Sequence, residues 1–283
     1  MADKFVPRAP VVVSYPKAPD AFAETQQIVS YLKERGFEAP LGSIYDEALR
    51  KRVKAGDFDL LIALGGDGTM LRAGHLCAPS NVPILGINMG RLGFLIQVER
   101  GEWREMLDSL FRGEGWLEER MMLRAEHVRA GESQGNWQAL NEAVVGRGAA
   151  LRPVRLEATV DGRPLTTYVC DGLIASTPTG STAYALAAGG PILPPDLHNM
   201  LIMPIAPHLS VDRAVVLGEG ATVSITVRSD NAVVSVDGQT PISLEEGDRV
   251  DVRTAEYAAH FVRFGDPGYF YRNLNAHLNQ PHL

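Results

Sequence analysis

The spacing of apolar residues changes period part-way along the chain, and that change narrows the folds open to it. Up to Gly113, strand and helix signals alternate: PVVVSY, then FAETQQIVSYLKERGF at helical spacing, LLIAL, a helical stretch after Thr69, VPILGIN and amphipathic WREMLDSLFRG. Strands that alternate with helices predict a mostly parallel α/β sheet. From Leu117 onward the texture is strand and turn: RLEATV-DGR-PLTTYV, TVSITV-RSDN-AVVSV-DGQ and GDRVDVR. Asp161-Gly162 and Asp237-Gly238 are hairpin-turn signals, so this part is expected to be β-rich. The pattern places an α/β domain over residues 1–116 and a β-rich domain over 117–265, followed by a tail over 266–283.

Five apolar residues ending at Leu64 are dense enough for a strand covered on both faces, and GGDGT follows directly. The glycines permit a tight turn, and Thr69 is expected to cap the next helix. Such a strand, turn and helix aims backbone N–H groups and the positive end of a helix dipole at an anion. Asp67 stands inside that turn, where a carboxylate would repel phosphate. It fits if it takes a proton from an attacking hydroxyl or shares a divalent cation with the phosphate. A bare Asp-Gly turn is the alternative. No GK[ST] follows at P-loop spacing, so any grip on phosphate differs from that of Walker-type proteins.

One segment interrupts the β texture. LIASTPTGSTAYALAAGGP reads as a strand, a hydroxyl-rich loop and a short Ala-rich helix ended by Gly189-Gly190-Pro191. STPTGST offers five hydroxyls in seven positions, a set of donors and acceptors for ribose and phosphate oxygens or, equally, a polar surface loop. Asp171 precedes that strand at an edge where a carboxylate can accept from an amide or a sugar hydroxyl. Asn141 and Glu142 are adjacent, so on an ideal strand they face opposite sides unless a bulge or strand end intervenes. Gln239 follows the Asp237-Gly238 turn. In GINMGRLGFL, Arg91 is placed to meet a phosphate or to sit on the surface.

The composition fits a globular chain, with 45% hydrophobic and 22% charged residues. A formal net charge of −7 argues against nucleic acid as the main partner, although a local anion site can be built from backbone donors in an acidic protein. Cys77 and Cys170 lack metal-type spacing, the seven histidines form no ligand motif, and no run reaches the length of a membrane span. The N-terminus has no signal-peptide core, so a cytoplasmic protein is expected.

Taken in order, GGDGTML, GINMGRLGFL, LNEAVVGRG, DGLIASTPTGSTAYALAAGGPIL, PIAPHLS and VDGQ resemble the NAD kinase family, which phosphorylates the 2'-hydroxyl of the adenosine ribose of NAD to make NADP. GGDG is shared with lipid kinases and 6-phosphofructokinases; TPTGSTAY with its following GGP is far more specific. The resemblance implies a Rossmann-like first domain, a β-sandwich second domain, a tail returning to the first, and a homodimer or homotetramer whose neighbouring subunits complete the site. It implies Asp67 as proton acceptor, with Gly68 and Arg72 beside it in the nucleotide site. Asn141, Glu142, Arg152, Asp171, Thr182, Ala183, Tyr184, Ala185, Leu186, Ala187 and Gln239 are the further dinucleotide positions it implies. The implied substrates are NAD with ATP or polyphosphate as donor, with Mg²⁺ as the divalent cation and no residue assigned as its dedicated ligand. A diacylglycerol-type lipid kinase and a non-catalytic NADP-sensing protein are the rival readings. Asp212-Arg213-Ala214 stands where the family carries Arg-Pro, and the ending YRNLNAHLNQPHL lacks the family's Lys-Leu-Gly-Trp-like close.

Overall fold

The computed structural model describes residues 5–17, 20–90, 93–149, 152–208 and 212–278. The elements of the first stretch are β1 (Pro10–Ser14), α1 (Ala21–Glu34), β2 (Leu41–Ser43), α2 (Glu47–Lys54), β3 (Leu60–Gly65), α3 (Asp67–Cys77), β4 (Ile84–Asn88), β5 (Val98–Glu99), α4 (Trp103–Phe111) and β6 (Trp116–Arg120). Next come β7 (Leu123–Arg129), β8 (Glu132–Ala139), β9 (Glu142–Arg147), β10 (Val154–Val160), β11 (Arg163–Cys170), β12 (Gly172–Ser176) and the single turn α5 (Tyr184–Ala187). They are followed by β13 (Met200–Ile205), β14 (Val215–Leu217), β15 (Val223–Val227), β16 (Ala232–Val236), β17 (Ile242–Leu244) and β18 (Arg249–Thr254). The last two elements are β19 (Ala259–Arg263) and α6 (Tyr269–Leu278).

The chain divides into two compact units, Met1–Arg120 with Ala258–Leu283, and Met121–Tyr257. This division departs from the boundaries expected from pattern. Residues 117–120 and 258–265 belong to the first unit because β6 and β19 pair with each other and β19 pairs with β4.

In the first unit the strand order is β2-β1-β3-β4-β19-β6, with β5 beside β4. β1 through β4 run parallel and β6 closes the sheet antiparallel to β19. Every residue of β1, β3 and β4 is buried, as a strand covered on both faces requires. On one face, Ile28 and Leu32 of α1 and Trp103, Leu107 and Leu110 of α4 pack on Val12, Leu60, Ile62, Leu64 and Ile87. The Glu24 carboxylate joins these two helices, accepting from Trp103 Nε1 at 2.7 Å and Arg100 Nε at 2.8 Å. α6 contributes Tyr269 to the polar interior, where its hydroxyl reaches Glu118 at 2.8 Å.

The second unit is a sandwich of two antiparallel sheets, β11-β10-β15-β18-β7-β8 and β14-β13-β12-β9-β16-β17. Its core interleaves Leu123, Leu156, Ile225 and Val252 from one sheet with Val145, Leu173, Ile202 and Val234 from the other. The outer face of the second sheet is covered locally by the loop around α5, where Ala185 and Leu193 pack on Ile174, Leu201 and Met203. β12 is therefore buried on both faces.

Candidate functional site

The polar positions fall into three groups, one in the first unit and two in the second. In the first, β2 and β3 flank β1 on opposite sides, so the strand order reverses at β1 and β3. Ligands in open α/β sheets bind at the carboxyl ends of strands at such a reversal. Asp67 is there, the first residue of α3 directly after β3. The helix begins three residues earlier than a Thr69 cap would start it. Gly66 is the N-cap, and Thr69, whose N–H donates to the Gly66 carbonyl at 2.8 Å, is buried in the first turn.

The Asp67 carboxylate is already engaged. It accepts the Phe94 N–H at 2.8 Å and the Leu95 N–H at 3.2 Å. A carboxylate offers about four lone-pair sites, so two remain for a hydroxyl proton or a cation. The close approach requires Gly93, where a Cβ would collide with both Asp67 oxygens. Asn88, at the end of β4, starts the turn by accepting the Gly90 N–H at 3.1 Å and donating to Glu99 at 3.1 Å. One turn along α3, the Arg72 guanidinium donates to the Gly68 carbonyl and lies 5.7 Å from the Tyr15 ring and 5.6 Å from that of Tyr45. Gly68 and Arg72 are exposed beside Asp67. Arg91 lies outside the described residues.

In the second unit, β9 starts beside the ends of β12 and β16. Glu142 is opposite Ser176, and Ala143 is opposite Val236. Asn141 stands just before β9 and Glu142 is its first residue, so the strand start relaxes the opposition expected of adjacent residues. The organiser here is Asp237, read from sequence only as part of a turn. One of its oxygens accepts the Leu140 N–H at 2.7 Å, and the other accepts those of Asn141 and Glu142 at 2.9 Å each. Asp237 and Gly238 adopt left-handed backbone, φ 47° and 67°, which aims the carboxylate back at β9. Glu142 takes the Tyr184 N–H, but burial pushes its carboxyl up to about 8, with the Asp237 charge adding to the rise.

The hydroxyl-rich loop is put together differently from the expectation that it presents donors to a ligand. Ser176, Thr177, Thr179 and Ser181 are all buried. Thr177 Oγ1 donates to the Leu140 carbonyl at 2.6 Å and accepts the Gly180 N–H at 2.9 Å. Ser181 Oγ donates to the Pro178 carbonyl at 2.6 Å and accepts the Leu193 N–H at 2.9 Å. Ser176 Oγ donates to the Thr177 carbonyl at 3.0 Å, and Thr182 Oγ1 to that of Thr179 at 3.0 Å. These hydroxyls satisfy a buried loop backbone that water cannot reach. Gly180 is needed because a Cβ there would strike the Asn141 carbonyl. The loop leaves Tyr184 and Ala187 exposed and Thr182, Ala183 and Leu186 half-buried, while Ala185 is in the core. Gln239 is exposed past the Asp237 turn.

Asp171 and Arg152 form the third group. Asp171 precedes β12 at the end opposite Ser176, five residues or about 16 Å of strand away, and pairs with Arg147 at 3.2 Å. Val154 pairs with Cys170, which puts exposed Arg152 at that same end. Exposed Asp212 and Arg213 pair with each other at 3.4 Å.

Comparison with known proteins identifies the family. The family model described as the ATP-NAD kinase N-terminal domain matches residues 16–115, and the ATP-NAD kinase C-terminal domain matches 140–264. The chain belongs to the NAD kinase family. Among curated relatives, the NAD kinase of Chloroflexus aurantiacus is 40% identical over 272 residues, covering 95% of this chain and 98% of that one. A crystal structure of an NAD kinase from Archaeoglobus fulgidus in complex with ATP is similar at TM-score 0.74 and 27% identity, covering 94% of this chain and 97% of that one. The fold is also that of yeast NADH kinase complexed with NADH, at TM-score 0.85 and 24% identity over 98% of this chain and 90% of that one. Both halves match NAD kinase models, so family membership does not rest on the GGDG motif shared with lipid kinases.

Proposed function

We propose that the protein is an NAD kinase, transferring a phosphoryl group from ATP or polyphosphate to the 2'-hydroxyl of the adenosine ribose of NAD, with Asp67 as proton acceptor. The observation that carries this reading is the Asp67 carboxylate at the mouth of β3, held by two backbone N–H groups with acceptor capacity to spare. A ribose hydroxyl is a poor nucleophile at neutral pH, and a positioned base contributes about 10²- to 10⁴-fold. The N–H groups of the Gly66–Gly68 turn supply preorganised donors for phosphate charge. Gly68 and Arg72 line the nucleotide beside Asp67. Asn141, Glu142, Gln239 and the exposed side of Thr182–Ala187 take the dinucleotide.

Among the described residues no group of three or more His, Cys, Asp or Glu side chains could hold a metal ion. Mg²⁺ is commonly held by one or two carboxylates plus substrate phosphates rather than by a protein cage. Asp67 is the residue that would share it, and the ion would neutralise charge on the transferred phosphoryl group.

Asp171 and Arg152 stand at the far end of β12 from Asn141, which supports a homodimer or homotetramer where they complete a neighbour's site. The buried free thiols Cys77 and Cys170 support a cytoplasmic location, and no helix among the described residues is long and apolar enough to cross a membrane.

The test is to incubate the purified protein with NAD, ATP and Mg²⁺ and follow NADP with an NADP-specific dehydrogenase, with polyphosphate as a second donor arm and a chelator as a third. NADP formation with either donor, lost with chelator, is the expected result. No NADP with either donor, from protein that melts cooperatively, overturns the reading.

A further inference from the structure

β6 carries its burial on the wrong residues for an ordinary strand. In WLEER, Glu118 and Arg120 are buried while Leu117 is exposed. Glu118 meets both Arg120 and Arg263, the last residue of β19, which is 1% exposed. Arg263 Nε donates to Glu118 Oε2 at 2.7 Å, and Arg120 Nη2 lies 2.9 Å from the same oxygen. The Tyr269 hydroxyl of α6 lies 2.8 Å from both Glu118 oxygens and accepts from Arg120 Nη2 at 2.7 Å. Burial pushes the Glu118 carboxyl up, but the Arg263 and Arg120 charges outweigh this and hold it below the usual carboxylate range.

The second arm of the Arg263 fork leaves this cluster. Its Nη1 donates to the Leu95 carbonyl at 3.0 Å, and the Leu95 N–H in turn donates to Asp67 Oδ1. The same turn is held again at Gln97, which donates to the Phe264 carbonyl at 2.9 Å and accepts the Phe264 N–H at 3.0 Å. We propose that Arg263 is a positioning residue for Asp67: seated by Glu118 and Tyr269, its guanidinium fixes the Leu95 backbone whose N–H orients the catalytic carboxylate.

Two observations set this apart from a cluster that only stabilises the sheet. Buried ion pairs are often matched or bettered in stability by apolar residues of similar volume, so three buried charges need a further reason, and here the network ends on the turn that holds Asp67. Arg263 Nη2 also has no hydrogen-bond partner, so the fork sits where Glu118 and Leu95 are both reached and its own donors are not all used. Arginine alone among the cations can span two acceptors in fixed planar geometry, and lysine cannot reproduce it.

This assignment rests on Asp67 being the base. The experiment compares wild type, Arg263→Lys, Tyr269→Phe and Asp67→Asn for kcat, KM for NAD, and amide hydrogen exchange at Phe94 and Leu95. Arg263→Lys keeps a positive charge beside Glu118 and gives up the fork. The expected result is a loss of about tenfold or more in kcat, since small misplacements of a reacting group cost up to about 10²-fold. KM for NAD should change less than about twofold, with faster exchange at Phe94 and Leu95 and unchanged exchange in β3. If Arg263→Lys does not fold, Tyr269→Phe, which removes one hydroxyl and keeps the ring, carries the same readouts. Normal kcat, or a lost kcat with unchanged Leu95 exchange, overturns the proposal. A rise in KM alone does so too. Full turnover in Asp67→Asn would instead overturn the base assignment, and the exchange data would still decide whether Arg263 orders the turn.

Discussion

Glu142 and Asp237 set two carboxyls side by side at the end of β9, and only Asp237 has both oxygens engaged by backbone N–H groups. Glu142 is pushed up to about 8 from an ordinary 4.5, first by burial and then by its neighbour's charge. A raised carboxyl favours the protonated folded state, so its contribution is intact below the unfolded value and is lost as pH rises through the folded one. Glu142→Gln is therefore expected to melt like wild type near pH 5 and above it near pH 9. Calorimetry across that window checks it, and a gap that does not vary with pH would sink the idea.

Gly93→Ala should damage catalysis more than folding. The added Cβ meets the two oxygens of Asp67, which must swing away from Phe94 and Leu95. A drop in kcat of about 10²-fold with a cooperative melt is expected, because Asp67, the proposed base, is displaced from the backbone groups that hold it. Steady-state kinetics at saturating NAD decides the matter, and turnover near that of wild type counts against the assigned geometry.

Gly180→Ala should act the other way, on stability first. Its Cβ would meet the Asn141 carbonyl, a backbone atom held by Ser176 and by the Thr177 N–H at 2.8 Å, so little can give. Overpacking at a buried site costs about 1–3 kcal/mol, read as a lower denaturant midpoint at unchanged m-value.

Asp248 is expected to contribute to the acid sensitivity of the second unit. Arg129 grips both its oxygens at 2.8 Å and His127 Nε2 lies 2.8 Å away, holding its carboxyl well below the usual range. A lowered carboxyl contributes stability above its unfolded value of 3.8 and loses it as pH falls toward the folded one. The stability gap between wild type and Asp248→Asn should be widest near neutrality and shrink below about pH 4, where a free aspartate protonates. Chemical denaturation at several pH values tests this.

Where side chains follow the simple rule of apolar inside and polar outside, the sequence is easy to read. β10 and β11 alternate around a turn whose Asp161 has φ 50° and Gly162 φ 74°, and α1 buries Ile28 and Leu32 at helical spacing. The α/β and β-rich halves follow from such segments. WLEER breaks the rule, because the energy of its buried charges comes from Arg263 and Tyr269, more than a hundred residues away, and no local window contains them. STPTGST misleads in a related way. Its hydroxyls look available until the structure shows that its backbone is buried and consumes them. Asp67 stood out because a carboxylate conflicts with a glycine turn suited to anions, and the structure adds the Phe94 and Leu95 N–H groups that hold it. Asp237 did not stand out, because an Asp-Gly turn needs no further explanation.

β19 sits between β4 and β6, though it is made only after the whole second unit. On the ribosome, β6 emerges with no partner to pair with, and β4 waits with an open flank on the side that β19 will fill. The nascent first unit must therefore keep that flank from sticking to other chains until residue 263 has left the exit tunnel, and the last strand among the described residues is the one that joins β4 to β6 in the first sheet to be started.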